Sequence, residues 1–205
     1  MLDRSVSVRH LADMHHVAEM HDAPEQSLCA LRPVRAEDAP AVLAAFASHP
    51  DMRRQGDVDT LEDAERQVRW MLADNLRATA IVDADDVLVG QVSIMIDTLN
   101  RSGWVSYWMH AAHRGQGLMS RAAVAACDRA LTPTTADGWG LERLELGHRV
   151  NNPASGAVAA AAGFVREGRE RGKFLMDGER IDVLTYGRLP ADPAQTTEPL
   201  PWRER

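Results

Sequence analysis

Residues 107–120 read YWMHAAHRGQGLMS, and this stretch carries the clearest structural signal in the chain. An apolar strand ends here, a short loop with Gly115 and Gly117 follows, and a helix begins. Glycine adopts backbone torsions that are closed to other residues. Successive N–H groups can therefore point into one concavity, next to the free N–H groups and positive dipole end of the helix. The pattern predicts a diphosphate site, with Arg114 as a fixed positive charge nearby.

The spacing separates this loop from two common nucleotide-binding motifs. The second interval does not fit the dinucleotide fingerprint GxGxxG, and the Gly-Lys-Ser/Thr of a Walker loop is missing. A glycine-rich turn that holds no ligand is the alternative interpretation of the motif by itself.

Strands and helices alternate on both sides of the loop. Apolar periodicity, a capping box that starts at Thr60 and an Asp177-Gly178 turn mark the elements. Their order predicts a single mixed α/β domain. The predicted strands are 28–34, 78–82, 87–96, 104–109, 141–147, 173–176 and 181–188, and the predicted helices are 36–48, 60–77, 117–131 and 154–162.

Composition and charge exclude several classes of protein. The chain has 205 residues, of which 45% are hydrophobic and 26% charged, as in a globular domain. A net charge of -7 argues against nucleic-acid binding, and no apolar stretch approaches the ~20 residues of a membrane helix. The N-terminus lacks the apolar block of a secretion signal. Together with two cysteines, Cys29 and Cys127, that read as buried reduced thiols, these features predict a cytoplasmic protein.

The two ends of the chain differ from the rest. Residues 1–26 form an N-terminal extension in which four histidines suggest either a polar segment or, less simply, a metal site. Residues 190–205 are rich in proline and predict an extended or disordered tail. The histidines are His10, His15, His16 and His21.

Three ordered motifs resemble the GNAT N-acetyltransferase superfamily. Arg114–Met119 follows the family pattern Gln/Arg-x-x-Gly-x-Gly/Ala up to its last position, where Met119 replaces a small residue. The other motifs are Leu31-Arg32-Pro33-Val34 with Glu37-Asp38-Ala39, and Asn152-Pro153-Ala154-Ser155 with Ala162-Gly163-Phe164 and Glu167-Gly168. The pair Tyr107-Trp108 is similar to the ribosomal-protein N-terminal acetyltransferase (Rim-type) branch.

The resemblance implies a GNAT domain over residues 27–189. Its central sheet would be mostly antiparallel, with splayed fourth and fifth strands and flanking helices. Acetyl-CoA, or another acyl-CoA, would be the co-substrate, and no metal is expected. Asn152 would contact the cofactor arm or orient the loop, unless it only starts a helix. The implied cofactor-binding residues are Met109, His110, Arg114, Gly115, Gln116, Gly117, Leu118, Met119, Ser120 and Asn152.

Direct attack of an amine on the thioester is the expected chemistry, since a thioester is already activated. Ser155 is the candidate acid, although it could equally be a helix-capping residue. Glu145 and His148 are the candidate bases, with a solvent-facing or structural role as the alternative for each. Ala159 stands where many members of the family have a tyrosine that acts as the general acid, and Trp104 stands where many have a carboxylate.

A site without a strong base favours an amine of low pKa, such as a protein or peptide N-terminus. Two other substrates or roles stay open: a small amine such as a polyamine or antibiotic, and a non-catalytic acyl-CoA sensor. A homodimer is compatible with the resemblance, and Trp202 either docks on a neighbour or belongs to a disordered tail.

Overall fold

The computed structural model describes residues 29–203, and one seven-stranded sheet organises them. The strand order is β1-β2-β3-β4-β5-β7-β6. The β4–β5 pair is parallel and the other five pairs in this part of the chain are antiparallel. This arrangement confirms the predicted mixed α/β class. The strands are β1 (Ala30–Pro33), β2 (Leu76–Val82), β3 (Leu88–Asp97), β4 (Ser102–Met109), β5 (Arg143–Arg149), β6 (Val165–Met176) and β7 (Glu179–Arg188), and the helices are α1 (Ala39–Ala47), α2 (Leu61–Met71), α3 (Leu118–Leu131) and α4 (Pro153–Ala161).

The fourth and fifth strands diverge, as the resemblance implied. Their pairing is confined to one end, where Ser102, Gly103 and Trp104 lie opposite residues 143–145. A Cβ at Gly103 would lie only 2.9 Å from the Leu141 side chain, so the closed end of the pair requires glycine. Beyond Trp104 the two strands run on to Met109 and Arg149 without pairing. This opens a wedge in the middle of the sheet.

Alternating side chains bury both faces of the sheet under helices. Leu31 and Ile81 belong to the core beneath α3 and α4, whereas Ala30 and Ala80 belong to the core beneath α1 and α2. The period of two along a strand produces this division. Helix α3 presents many small residues, of which Ala126 is fully buried, so it packs closely on the sheet.

The helix α2 begins where the sequence predicted and ends earlier. The Thr60 hydroxyl accepts from the Asp63 N–H at 3.2 Å, and the Asp63 carboxylate accepts from the Thr60 N–H at 3.0 Å. This is the predicted capping box. The helix stops at Met71 instead of residue 77, because Leu76 already pairs with Met95 of β3 as the first residue of β2.

The C-terminal segment corrects the prediction of a disordered tail. The Leu31 N–H donates to the Pro201 carbonyl, and the Arg203 N–H donates to the Leu31 carbonyl, both at 2.8 Å. Leu200 is buried, and Trp202 lies over Arg129 at 4.7 Å from the ring centroid. The exposed edge of β1 offers unpaired backbone groups, and the extended tail satisfies them. Trp202 therefore docks on its own chain, whereas the histidine-rich extension lies outside the described residues.

Residues 29–203 contain neither a membrane-spanning helix nor a cluster of metal-ligating side chains. No helix there has the length and apolarity needed to cross a membrane. No group of three or more metal-ligating side chains comes together in that range.

Candidate active site

The loop between β4 and α3 is an open cradle of backbone donors. Gly115 and Gly117 have φ values of +74° and +76°, and a Cβ on either would meet nothing within 4 Å. The glycines are therefore required by the backbone torsion and not by lack of space. Within the described chain, the N–H groups of residues 115–120 have no hydrogen-bond acceptor. A loop with these properties at a helix N-terminus suits a diphosphate.

Arg114 is not a free cation beside this cradle. Its guanidinium makes two hydrogen bonds to the Asp51 carboxylate, at 2.8 and 3.0 Å, and its Nε donates to the Met109 carbonyl at 3.1 Å. Arg114 holds the pKa of Asp51 below its ordinary value. The pair ties a short 3₁₀ segment, Pro50–Gln55, to the cradle. The positive potential of the cradle thus comes mainly from its backbone.

A cavity of about 540 Å³ adjoins the cradle and the open end of the wedge. Most of the predicted cofactor residues line it: Met109, Arg114, Gly115, Gly117, Leu118, Met119, Ser120 and Asn152. His110 and Gln116 do not line it. The His110 ring accepts from the Ala112 N–H at 3.2 Å, and the Gln116 amide donates to the Ala112 carbonyl at 3.1 Å, so both stabilise the turn itself.

Asn152 and Ser155 occupy the first turn of α4. The Asn152 side chain accepts from the Ser155 N–H at 3.3 Å, so Asn152 is the helix cap that one interpretation predicted. The Ser155 hydroxyl lies 2.6 Å from the Tyr107 hydroxyl of β4, and the Tyr107 hydroxyl lies 3.1 Å from the Ser155 carbonyl. These bonds cross the wedge between the diverging strands.

Tyr107 is the residue that sequence reasoning missed. In the sequence it stands out only as half of an aromatic pair, yet it lines the cavity beside Ser155. Burial raises the pKa of Tyr107 to about 12, so it keeps its proton at neutral pH. The available signal was a polar aromatic residue on the same face of β4 as buried Val105 and Met109.

His148 is buried and already has two partners. Its Nδ1 lies 2.9 Å from the Arg149 carbonyl and its Nε2 lies 3.0 Å from the Tyr186 hydroxyl. A carbonyl oxygen only accepts, so Nδ1 donates to the Arg149 carbonyl. The ring also stacks on Tyr186. This arrangement fits the structural role that was the alternative for His148.

The structure corrects the prediction of Glu145 as a base. It lines neither the large cavity nor the smaller one described below, and it faces a separate depression together with Trp104. The Arg143 Nε donates to its carboxylate at 2.9 Å, and the same guanidinium binds Glu167. The charge of Glu145 is therefore already balanced away from the wedge.

A second cavity, of about 320 Å³, also borders Tyr107 and Ser155. The two cavities share six residues, which are Arg54, Gln55, Tyr107, Arg149, Asn152 and Ser155. Trp104, Phe174 and Met176 give the second cavity an apolar wall. No aspartate or glutamate of the described chain lines it.

Comparisons with known proteins agree with this geometry. A family model described as the acetyltransferase (GNAT) domain matches residues 29–165. The ribosomal-protein-serine acetyltransferase of Escherichia coli K12 is 28% identical over 194 residues, which cover 92% of this chain and 98% of that protein.

Two solved structures share the fold. One is the ribosomal-protein-S5-alanine acetyltransferase of Vibrio fischeri, with a TM-score of 0.69, 20% identity, and coverage of 80% of this chain and 94% of that one. The other is the spermidine N-acetyltransferase of Vibrio cholerae in complex with CoA and spermine, with a TM-score of 0.68, 20% identity, and coverage of 81% and 98%.

Proposed function

Because this chain belongs to the acetyltransferase (GNAT) family, we propose that it transfers an acetyl group from acetyl-CoA to the α-amine of a protein or peptide N-terminus. Acetyl-CoA is the donor that GNAT acetyltransferases use. The observation that carries the proposal is the cradle of unpaired N–H groups at residues 115–120, set at the open end of the wedge. The cytoplasmic location and the homodimer stay predictions.

The residues around the wedge fit the donor. The cradle would hold the diphosphate by its backbone N–H groups, with Ser120 close by in the first turn of α3. The His110 N–H donates to the Val89 carbonyl on the β3 side. Since N–H groups alternate sides along a strand, the Met109 N–H faces the wedge, where β5 has moved away. Met109 would therefore offer a donor to the thioester oxygen.

The chain's residues also account for the proton transfers. The neutral amine forms a bond to the thioester carbon, the carbon–sulfur bond breaks, and the nitrogen releases a proton to solvent. Ser155 would donate its hydroxyl hydrogen bond to the leaving sulfur, with Tyr107 orienting that hydroxyl. A thiol of pKa about 8.5 needs only modest assistance, so a hydroxyl suffices. Holding both reactants in the wedge supplies most of the rate.

The lack of a free base in the described site favours an α-amine. At pH 7 roughly one α-amine in seven is neutral, against about one lysine side chain in 2,500. His148 lines the second cavity, but both of its ring nitrogens already have hydrogen-bond partners, and Glu145 faces elsewhere. The name of the Escherichia coli relative, a ribosomal-protein-serine acetyltransferase, supports a protein substrate for this chain as well.

A small polyamine is the second candidate, suggested by the spermidine acetyltransferase that shares the fold. A polycation requires carboxylates to compensate its charges, whereas the second cavity is lined by Arg54 and Arg149 and by no acidic residue of the described chain. The charge of the cavity therefore favours the peptide substrate.

Release of free thiol from acetyl-CoA tests the proposal. The acceptors are a peptide with a free N-terminal serine, the same peptide N-blocked but with an internal lysine, and spermidine. We expect turnover with the first and little with the others. Faster acetylation of the lysine or of spermidine would contradict the assignment, and coenzyme A binding without turnover on any amine would support a sensor instead.

A further inference from the structure

We infer that the second cavity recognises an acidic N-terminus, in which aspartate or glutamate follows the reacting α-amine. The inference rests on the proposed function, because it identifies the acceptor of the same site. Its basis is a pair of arginines, Arg54 and Arg149, that line the second cavity next to Ser155.

The two arginines lack the carboxylate partner that several other arginines of the described chain have. Arg32, Arg114 and Arg143 each bind a carboxylate within 3.0 Å. Between residues 29 and 203, by contrast, no carboxylate forms an ion pair with Arg54 or Arg149. The polar contact of the Arg149 guanidinium is to the Met176 sulfur, at 2.7 Å, and sulfur is a weak acceptor.

Arg54 lies close enough to Arg149 for the two like charges to interact. Burial and the neighbouring charge of Arg54 both lower the pKa of Arg149. Asp51, the acidic group that opposes this effect, is already bound to Arg114. An arriving carboxylate would relieve the repulsion and form charge-assisted, bidentate hydrogen bonds. The positive spot is local, since the whole chain carries a net charge of -7.

The position of the arginines sets where the carboxylate must be. Both arginines and Ser155 line the two cavities, so an amine next to Ser155 places the following residues of a peptide toward the guanidinium groups. Trp104 and Phe174 form an apolar wall for the rest of the segment. A polyamine or a lysine-rich N-terminus would instead bring positive charge to positive charge.

Three peptides that differ in charge test the inference with the full-length protein. They begin Ser-Asp-Glu, Ser-Asn-Gln and Ser-Lys-Lys and are otherwise identical. We expect kcat/KM for the acidic peptide to exceed that for its neutral isostere by about tenfold or more, the scale of one charge-assisted hydrogen bond. The preference should shrink between low and high salt, because part of the site is exposed.

Substitutions assign the preference to the arginines. In the double variant with Arg54→Gln and Arg149→Gln, the acidic and neutral peptides should have the same kcat/KM. The KM for the acidic peptide should rise, and the KM for acetyl-CoA should stay unchanged. Arg53→Gln and Arg166→Gln are matched controls that remove the same charge from exposed positions outside both cavities, and they should keep the preference. Equal rates on all three peptides would overturn the inference. A higher KM for acetyl-CoA in the double variant would overturn it too, since the arginines would then serve the donor's phosphates.

Binding separates this inference from the proposed function. If no α-amine is acetylated, the proposed function fails, and calorimetric titration of the acidic and neutral peptides into the protein with coenzyme A still decides the inference. Tighter binding of the acidic peptide that disappears in the double variant supports it. Equal binding of the two peptides, or binding of neither, refutes it.

Discussion

Ser155→Ala removes the hydroxyl that lies 2.6 Å from Tyr107 and borders both cavities. A well-placed acid contributes about 10²–10⁴-fold to the rate. The lower end applies here, because a thiol of pKa about 8.5 is a good leaving group. We therefore expect kcat to fall about 100-fold, which corresponds to about 2.7 kcal/mol, with KM for acetyl-CoA unchanged.

Stability should change less than the rate. The Tyr107 hydroxyl also lies 3.1 Å from the Ser155 carbonyl, so it keeps an acceptor when the serine hydroxyl is removed. The loss is then one hydrogen bond, about 1 kcal/mol in the free energy of unfolding. Urea denaturation beside the kinetics separates a catalytic effect from a folding effect.

Tyr107→Phe completes the test, because Tyr107 is proposed to act through Ser155. We expect kcat to fall about tenfold, the effect of losing one orienting hydrogen bond. The double variant should resemble Ser155→Ala, since both changes affect the same hydroxyl. Ser155→Ala activity within twofold of the wild type, or a double variant whose losses multiply, would refute the reasoning.

Three further predictions concern the rest of the chain. Leu200→Ala should lower the free energy of unfolding by about 2–5 kcal/mol in urea titrations, because Leu200 is the residue of the C-terminal segment that is buried in the core. A change below about 1 kcal/mol would mean that the segment is not docked. Burial raises the pKa of Cys127 and of Tyr107 to about 12, so the folded state keeps protons that the unfolded chain releases. Stability should be complete below about pH 9 and fall as the pH rises toward 12, and melting temperatures that are flat from pH 8 to 11 would contradict this. Asp51→Asn frees Arg114 from its ion pair, so coenzyme A should bind about two- to fivefold tighter in calorimetry, which is the scale of a part-exposed ion pair. Weaker binding would show that Asp51 serves mainly to position the loop.

Local signals in the sequence predicted local structure well. The torsional demand of Gly117, the capping box at Thr60 and the turn at Asp177-Gly178 each depend on a few neighbouring residues, and each appears in the structure. The divergence of β4 and β5 was predicted through the family resemblance. The two-residue period of a strand predicts which side chains share a face, but it does not predict where a neighbouring strand stops pairing with it.

The side-chain partners could not be predicted in the same way. Arg114 meets Asp51 across 63 positions, and Tyr107 meets Ser155 across 48. Such pairs exist only after the sheet and helices have assembled, so no local pattern encodes them. Glu145 lies on the face of β5 opposite to buried Leu144 and Leu146, as the alternation of a strand requires, but alternation does not reveal that Arg143 neutralises it.

The free N–H groups around Gly115 and Gly117 are the central feature of this account, and backbone amide NMR shifts during a titration with coenzyme A measure them directly. The amides of residues 115–120 should shift the most, and they should follow a single saturating curve. Saturable binding that leaves the chemical shifts of these amides unchanged, or no binding at all, would contradict the account.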